Sequence, residues 1–311
     1  MNKSFKIFGW TLLILAFFQT SCDKIEKPIK PAVELDTTIY PGNWDDYPEP
    51  VWMQNVNTNR NLVLEDYTGH KCPNCPDAAT EAQNIELANP NRVFVASIHA
   101  APGGVSAFQA IAADCGQPSN PNDKYCTKHY CDESIAYGNA FQSGFGFFAN
   151  PMGNISRITP SGENMFELYG NWSSRVTNVL AANDLKVNIQ AQSNYYSAAN
   201  GFYLHTEIEF LEDLTGSYST VVYLLEEKIV DWQDVNGTAD SLYEHHNVFV
   251  GCIDGLAWGR SISGGTSTGD KTYFDYSYTL PSGKDNTDYH LLIYVYDVAT
   301  YEILQVIKHE I

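Results

Sequence analysis

Positive charge is scarce in this chain. Lys and Arg number 18 against 37 Asp and Glu, which leaves a formal net charge of −19 over 311 residues. Such a surface repels phosphate backbones and anionic headgroups, so nucleic acid is excluded as a partner and lipid binding by charge is disfavoured. Long apolar runs are scarce too. Ile7 to Phe18 is one, too short to cross a bilayer comfortably, and no other run approaches a membrane-spanning length. Metal-ligand spacing is also missing. The chain has one C-x-x-C, Cys72-Pro73-Asn74-Cys75, with no second C-x-x-C or H-x-x-x-H at zinc distances. Asp231 to Gly237, DWQDVNG, fails as a calcium loop, because taking Gly237 as the loop glycine puts Trp232 and Tyr243 at the first and last ligand positions. A hairpin turn at Asn236-Gly237 is the simpler assignment. His245 and His246 are adjacent in a strand pattern and point to opposite faces, which argues against one site using both. Neither a metal nor a cofactor is expected.

What the chain does have begins with an export signal. Lys3 and Lys6 form a charged start, Ile7 to Phe18 the apolar stretch, and Gln19-Thr20-Ser21-Cys22 resembles a bacterial lipobox. Residues 1–21 are then a lipoprotein signal peptide, with Cys22 lipidated; the alternative is an ordinary cleaved signal followed by a spare cysteine. Several acyl chains on one cysteine hold a protein to a membrane without a transmembrane helix. Residues 22–50, rich in Lys, Glu, Asp and Pro, read as a stiff, solvated tether. Export also sets the redox compartment, since disulfides persist outside the cytoplasm.

The stretch that organises the rest is Asn61 to Ala79, NLVLEDYTGHKCPNCPDAA. Leu62, Val63, Leu64, Tyr67 and Thr68 favour a strand, Thr68-Gly69 a turn, and Pro76 to Ala82 the start of a helix. Strand, turn, C-x-x-C and helix is a thioredoxin-like redox arrangement. A thiol near a helix N-terminus has its thiolate favoured, and His70 and Lys71 add charge beside Cys72. Asp66, six residues before Cys72, resembles the buried acid of thioredoxins, which accepts a proton behind the second cysteine. Pro76 departs from that pattern and disfavours a helical Cys75, so the helix is expected to start at Pro76. The competing assignments are a structural disulfide that never turns over and half of a zinc site.

Arg92 to His99 is a second, parallel-type strand, with a helix over Ala78 to Asn89 between the two. Residues from about 100 to 134 form an insertion holding Cys115, Cys126 and Cys131. A Cys115–Cys126 bridge around its Pro and Asn-rich loop is expected, with Cys131 an equally near competitor; Cys252 is either free or ties the two halves together. Helices are expected over Ser134–Gln142 and Phe166–Ala182. Pro151 is the candidate for the cis-proline that faces the C-x-x-C in thioredoxin folds, against an ordinary trans-proline. From Leu185 onward seven short alternating runs separated by turns suggest an antiparallel sandwich. Its recurrent tyrosines, Tyr273, Tyr276, Tyr278, Tyr289, Tyr294 and Tyr296, are either cross-strand partners or, where exposed, a binding face.

The lipobox, EDYTGHKCPNCPDAA, NPMGNISR, VVYLLEEKIVDWQ and YEHHNVFVG together resemble the outer membrane protein 28 family, lipoproteins of the Bacteroidota. That resemblance implies an α/β thioredoxin-like domain, residues 51–183, followed by an all-β immunoglobulin-like sandwich, residues 184–311, in the outer membrane. It implies no settled activity. Three functions remain: thiol-disulfide exchange on envelope proteins through Cys72 and Cys75, with Asp66 and Pro151 in support; a non-catalytic surface binding protein or adhesin using the sandwich; and an accessory subunit of another envelope complex. For exchange, Cys72 is expected to be the more exposed, attacking sulfur and Cys75 the resolving one. Anchoring is directly testable: Cys22→Ser should move the protein from the membrane fraction to the soluble one, and a variant that stays membrane-bound at high salt refutes the lipid anchor.

Overall fold

The computed structural model describes residues 35–311, so the signal peptide, Cys22 and the start of the tether lie outside the described residues. The first strand, β1 (Leu62–Thr68), is buried throughout. Its side chains alternate between two faces. Leu62 and Leu64 enter one apolar cluster with Asp66 on their side, and Val63 and Tyr67 enter another beside Glu65. Helix α1 (Cys75–Ala88) leads to β2 (Val93–His99), parallel to β1 in the register Leu62↔Val93 through Thr68↔His99. The short β3 (Met152–Ile155) pairs antiparallel with β1.

Helices cover the Leu62–Leu64 face. α1 contributes Ala78, Ala82 and Ile85, at helical spacing, and α3 (Trp172–Ala182) contributes Trp172 and Val176. Aromatic side chains cover the other face: Tyr137 and Phe141 of α2 (Asp132–Phe141), with Phe147 and Phe166. The last helix begins six residues later than its sequence pattern suggests. Phe166 is drawn into the aromatic cluster, and Glu167 exchanges backbone hydrogen bonds with Gly153 of β3 at 2.9 and 3.0 Å, so that stretch is extended. The insertion is closed by a Cys115–Cys126 disulfide, while Cys131 and Cys252 are free thiols.

The remaining strands are β4 (Val187–Tyr196), β5 (Gly201–Phe210), β6 (Tyr218–Val235), β7 (Thr238–Cys252), the two-residue β8 (Arg260–Ser261), β9 (Lys271–Thr279), β10 (Tyr289–Asp297) and β11 (Ile303–Glu310). β4-β5-β9 form one antiparallel sheet. The larger sheet runs β11-β10-β6-β7-β2-β1-β3, with β8 on β6. An aliphatic and aromatic cluster fills the space between the two sheets. The expected boundary at 183/184 falls between α3 and β4, and the larger sheet carries strands from both sides of it. They meet where Ser97 of β2 pairs in parallel with Val248 of β7, and Ser97 Oγ donates to the His246 carbonyl at 2.8 Å. Most of the recurrent tyrosines are core: Tyr276, Tyr289, Tyr294 and Tyr296 are buried and only Tyr273 is well exposed. An aromatic binding face on the sandwich is therefore not supported.

One buried charge ties the layers together. Arg157, with no solvent exposure, donates through Nε and Nη2 to the two oxygens of Glu65 at 3.0 and 2.7 Å. Its Nη2 also donates to the Tyr223 hydroxyl at 2.7 Å, and Asn154 Nδ2 donates to Glu65 at 2.9 Å. The guanidinium lies over the rings of Tyr137, Phe141 and Tyr294 at 4.9, 5.3 and 5.4 Å. A desolvated ion keeps its charge only with this kind of two-point partner and ring contact. Arg157→Met should lower stability in urea unfolding by about 3–5 kcal/mol, since Glu65 is left charged and unpaired. Adding Glu65→Gln should restore part of that loss, and a double variant as unstable as the sum of the singles would show that the pair is not coupled.

Candidate functional site

Alternation along β1 sets the first functional group. Asp66 follows Leu62 and Leu64 onto the face that α1 covers. Its carboxyl is fully buried and neither oxygen has a hydrogen-bond partner among the described residues, so burial pushes its pKa up to about 7. β1 then ends in a tight turn. Gly69 is required there, because a Cβ would lie 2.7 Å from the Phe108 carbonyl oxygen. Cys72 N–H donates to Gly69 O at 3.0 Å and Cys75 N–H to Cys72 O at 3.2 Å, which winds the chain into α1. The helix starts at Cys75 itself, one residue before the expected Pro76, with Asn74 as its cap and the proline in its first turn.

Cys72 and Cys75 are disulfide-bonded. The Asn150–Pro151 peptide is cis, and Pro151 lies one step beyond the Tyr67↔Met152 pair, at the end of β1 from which the CPNC turn leaves. Asn150 braces that corner, its Nδ2 donating to the Tyr67 and Ala100 carbonyls at 2.8 Å each. Gln109 of the insertion adds a bond to Thr68 O at 2.7 Å.

Two expectations are corrected. Neither sulfur is open to solvent: Cys72 is 1% exposed and Cys75 2%. The cover is the outer end of the β6–β7 hairpin, whose Asn236-Gly237 turn has φ of 52° and 86°, as a two-residue hairpin turn demands. Asp234 N–H donates to His70 O at 2.8 Å and Asn236 N–H to Pro73 O at 3.0 Å. Gln233 Nε2 donates to Cys72 O at 3.0 Å. Nor does His70 place positive charge beside Cys72. It is buried, and desolvation with His129 close by holds its pKa down near 4, so the ring is neutral.

Behind the disulfide is a small cavity of about 20 Å³, large enough for about one water. Asp66, Cys75, Gln233, Tyr243, His99 and His245 are among its walls. His245 and His99 open onto a cluster that sequence patterns missed. His99 ends β2, His245 lies on β7, His129 comes from the insertion and His70 from the CPNC turn. Ring centroids lie 5.5 Å apart for His70–His129, 5.0 Å for His99–His129 and for His129–His245, and 5.8 Å for His99–His245. Desolvation first, then the neighbouring imidazoles, lowers His245 to about 3 and His99 well below its ordinary value. His129 Nε2 and Asp231 Oδ2 are 2.9 Å apart. Nothing in the sequence brings the four together, since they sit on four separate segments. The buried half of the His245-His246 pair was the available hint.

A family model described as "Outer membrane protein Omp28" matches residues 138–311. Among solved structures the chain is similar to HBP35 of Porphyromonas gingivalis, with a TM-score of 0.61 and 14% identity, covering 81% of this chain and 76% of that one. It also matches a domain of the outer membrane lipoprotein Omp28 from Porphyromonas gingivalis at 25% identity, over 41% of this chain and 88% of that one, with a TM-score of 0.28. No curated protein matches.

The buried ionisable groups give stability a definite pH dependence. His70, His99 and His245 have folded pKa values below the ordinary 6.5, so the unfolded chain binds more protons and stability is lost as pH falls from about 6.5 toward 4. Asp66 opposes this, its raised pKa favouring the folded state below about 7, and burial raises Glu86, Glu167 and Asp254 in the same sense. The lowered His309, Glu227 and Asp231 act with the three histidines. Urea midpoints should therefore drop between pH 7 and pH 4.5. His99→Asn should reduce that drop by at least about 1 kcal/mol and Asp66→Asn should enlarge it; a His99→Asn profile parallel to wild type contradicts the assignment.

Proposed function

The chain belongs to the outer membrane protein Omp28 family, an envelope family of the outer membrane, and from that premise we propose that it is a lipid-anchored thiol-disulfide exchange protein. In this proposal residues 51–183 are a thioredoxin-like domain, residues 184–311 an immunoglobulin-like sandwich, and Cys22 the anchor. The observation that carries it is Asp66, a buried carboxyl without a partner on the wall of the cavity that Cys75 also lines. A merely structural disulfide gains nothing from such a group, whose burial unpaired is costly. An exchange site uses it as a proton acceptor.

In the reducing direction, the Cys72 thiolate attacks a disulfide in an envelope protein, forming a mixed disulfide and releasing one substrate thiolate. Cys75 passes its proton to Asp66 and attacks the Cys72 sulfur. The second substrate thiolate leaves, and two electrons have moved from the cysteine pair to the substrate. Pro151 flanks the groove where the substrate chain lies. Access requires the β6–β7 hairpin to lift, breaking the bonds from Gln233, Asp234 and Asn236 to the CPNC turn.

The burial of both sulfurs favours a second reading, in which the disulfide is a fixed staple and the protein binds ligands without catalysis. The two separate by measurement. For exchange, the Cys72–Cys75 potential should lie at or above about −270 mV, and Cys75→Ser should trap mixed disulfides that Cys72→Ser does not. Gln233→Ala should speed reduction by dithiothreitol about tenfold, the effect of one or two lost hydrogen bonds on hairpin opening. A potential well below −300 mV with no trapping by either variant leaves the staple.

A further inference from the structure

Thiol exchange puts a proton on Asp66, and a carboxyl buried beneath the closed hairpin needs a way to lose it again. Three side chains on the walls of the cavity behind the disulfide carry buried polar atoms without a hydrogen-bond partner among the described residues. They are Asp66 through both oxygens, His99 through both ring nitrogens and His245 through Nε2. Buried polar atoms are normally paired, and unpaired ones around a polar space are completed by water. The space of about 20 Å³ holds about one water, and about three polar partners is the usual number for a buried one. The two imidazoles differ in what they can do. His245 is also bonded to the Trp232 backbone, so its other nitrogen keeps the proton and Nε2 carries the lone pair. Neither nitrogen of His99 is tied, so that ring can take a proton on one side and release one from the other. Its centroid lies 5.0 Å from that of His129, whose Nε2 is 2.9 Å from the Asp231 carboxylate. Asp231 reaches solvent, with 16% of its side chain exposed.

We propose that a buried water held by Asp66, His99 and His245 is the first link of a proton path from the Asp66 carboxyl to the surface at Asp231. The protonated carboxyl donates to the water, which donates in turn to Nε2 of His245 and to the lone pair of His99. On discharge, Asp66 gives its proton to the water as the water passes one of its own to His99. The water is restored, a carboxylate is left behind, and the ring becomes a cation. His99 then releases its other N–H proton toward His129. The Asp231 carboxylate stabilises the positive charge there until the proton reaches solvent. One proton moves, and no electrons change hands. His99 is thus a relay residue, and His245 is a positioning residue that orients the water. Tyr243 borders the same cavity and is the rival exit. To pass a proton its phenol must ionise or take a second proton, and desolvation pushes its pKa up to about 12. An imidazole offers a lone pair and an N–H together.

The use of this path in exchange rests on the redox reading, but the water and the path do not, so the test needs no substrate. The purified chain, with disulfides intact, is jumped from about pH 6 to about pH 8, across the Asp66 pKa of about 7. The infrared band of the protonated carboxyl is followed in time, and Asp66→Asn identifies it among the other buried acids. The band should be that of a carboxyl hydrogen-bonded to water, and its rate of loss should not change in sub-denaturing urea. His99→Phe and His245→Phe should each slow the loss at least about tenfold. Added imidazole should restore the rate in His99→Ala, which a merely structural role for the ring would not allow. If the proton instead waits for the hairpin to open, the rate rises with urea, because opening exposes surface. The urea series uses the wild type alone, so misfolding of a variant cannot hide the answer. A rate that rises with urea, a carboxyl band without a hydrogen bond, or an unchanged rate in His99→Phe overturns the proposal. A loss slowed by Tyr243→Phe and not by His99→Phe gives the exit to that hydroxyl and overturns it as well.

Discussion

Two neighbouring carboxylates on β1 leave the strand by opposite faces, and their different fates organise the molecule. Glu65 enters the aromatic layer and meets a guanidinium that satisfies both its oxygens, with Tyr223 and Asn154 completing the shell. Asp66 enters the helical layer and finds no hydrogen-bond partner among the described residues. The paired charge joins β1 to the segment after β3 and to β6, so the first half of the chain is built onto the second. The unpaired one is left on the wall of the cavity that Cys75 also lines. A strand of strict period two separates them by a single residue.

The local chemistry was legible in the sequence to the extent that it was local. The strand–turn–helix around Cys72 and Cys75, the ring closed by Cys115 and Cys126, and the turn at Asn236-Gly237 are decided by neighbours a few residues apart. Pro151 could be singled out because a turn precedes it and a β-like run follows. Burial of the disulfide was not legible. It follows from the reach of β6 and β7, which run 18 and 15 residues, and nothing in VVYLLEEKIVDWQ states what its far end will touch. The histidine cluster was hidden for the same reason. Its members lie on four segments, and only the packing of the insertion and the hairpin against the end of β2 brings them to one place.

The hairpin therefore has two jobs that pull against each other. It shields the Cys72–Cys75 disulfide from solvent through backbone-directed bonds, and it presents His245 and Tyr243 to the space behind that disulfide. A segment held by a few hydrogen bonds at its tip and by a long ladder at its base opens from the tip first. Opening from the tip would uncover the sulfurs while leaving the cluster between the two sheets intact.

The meeting of β2 and β7 has a further consequence. Without it, each half of the chain would end there in a strand with unsatisfied backbone groups, which is an invitation to pair with another molecule. Ser97 and Val248 instead close the two borders on each other. Separating the halves would expose both strand borders at once. For a protein that must cross a crowded envelope before reaching its membrane, the halves are safe only as a pair, and their connection is as much a safeguard against self-association as a feature of architecture.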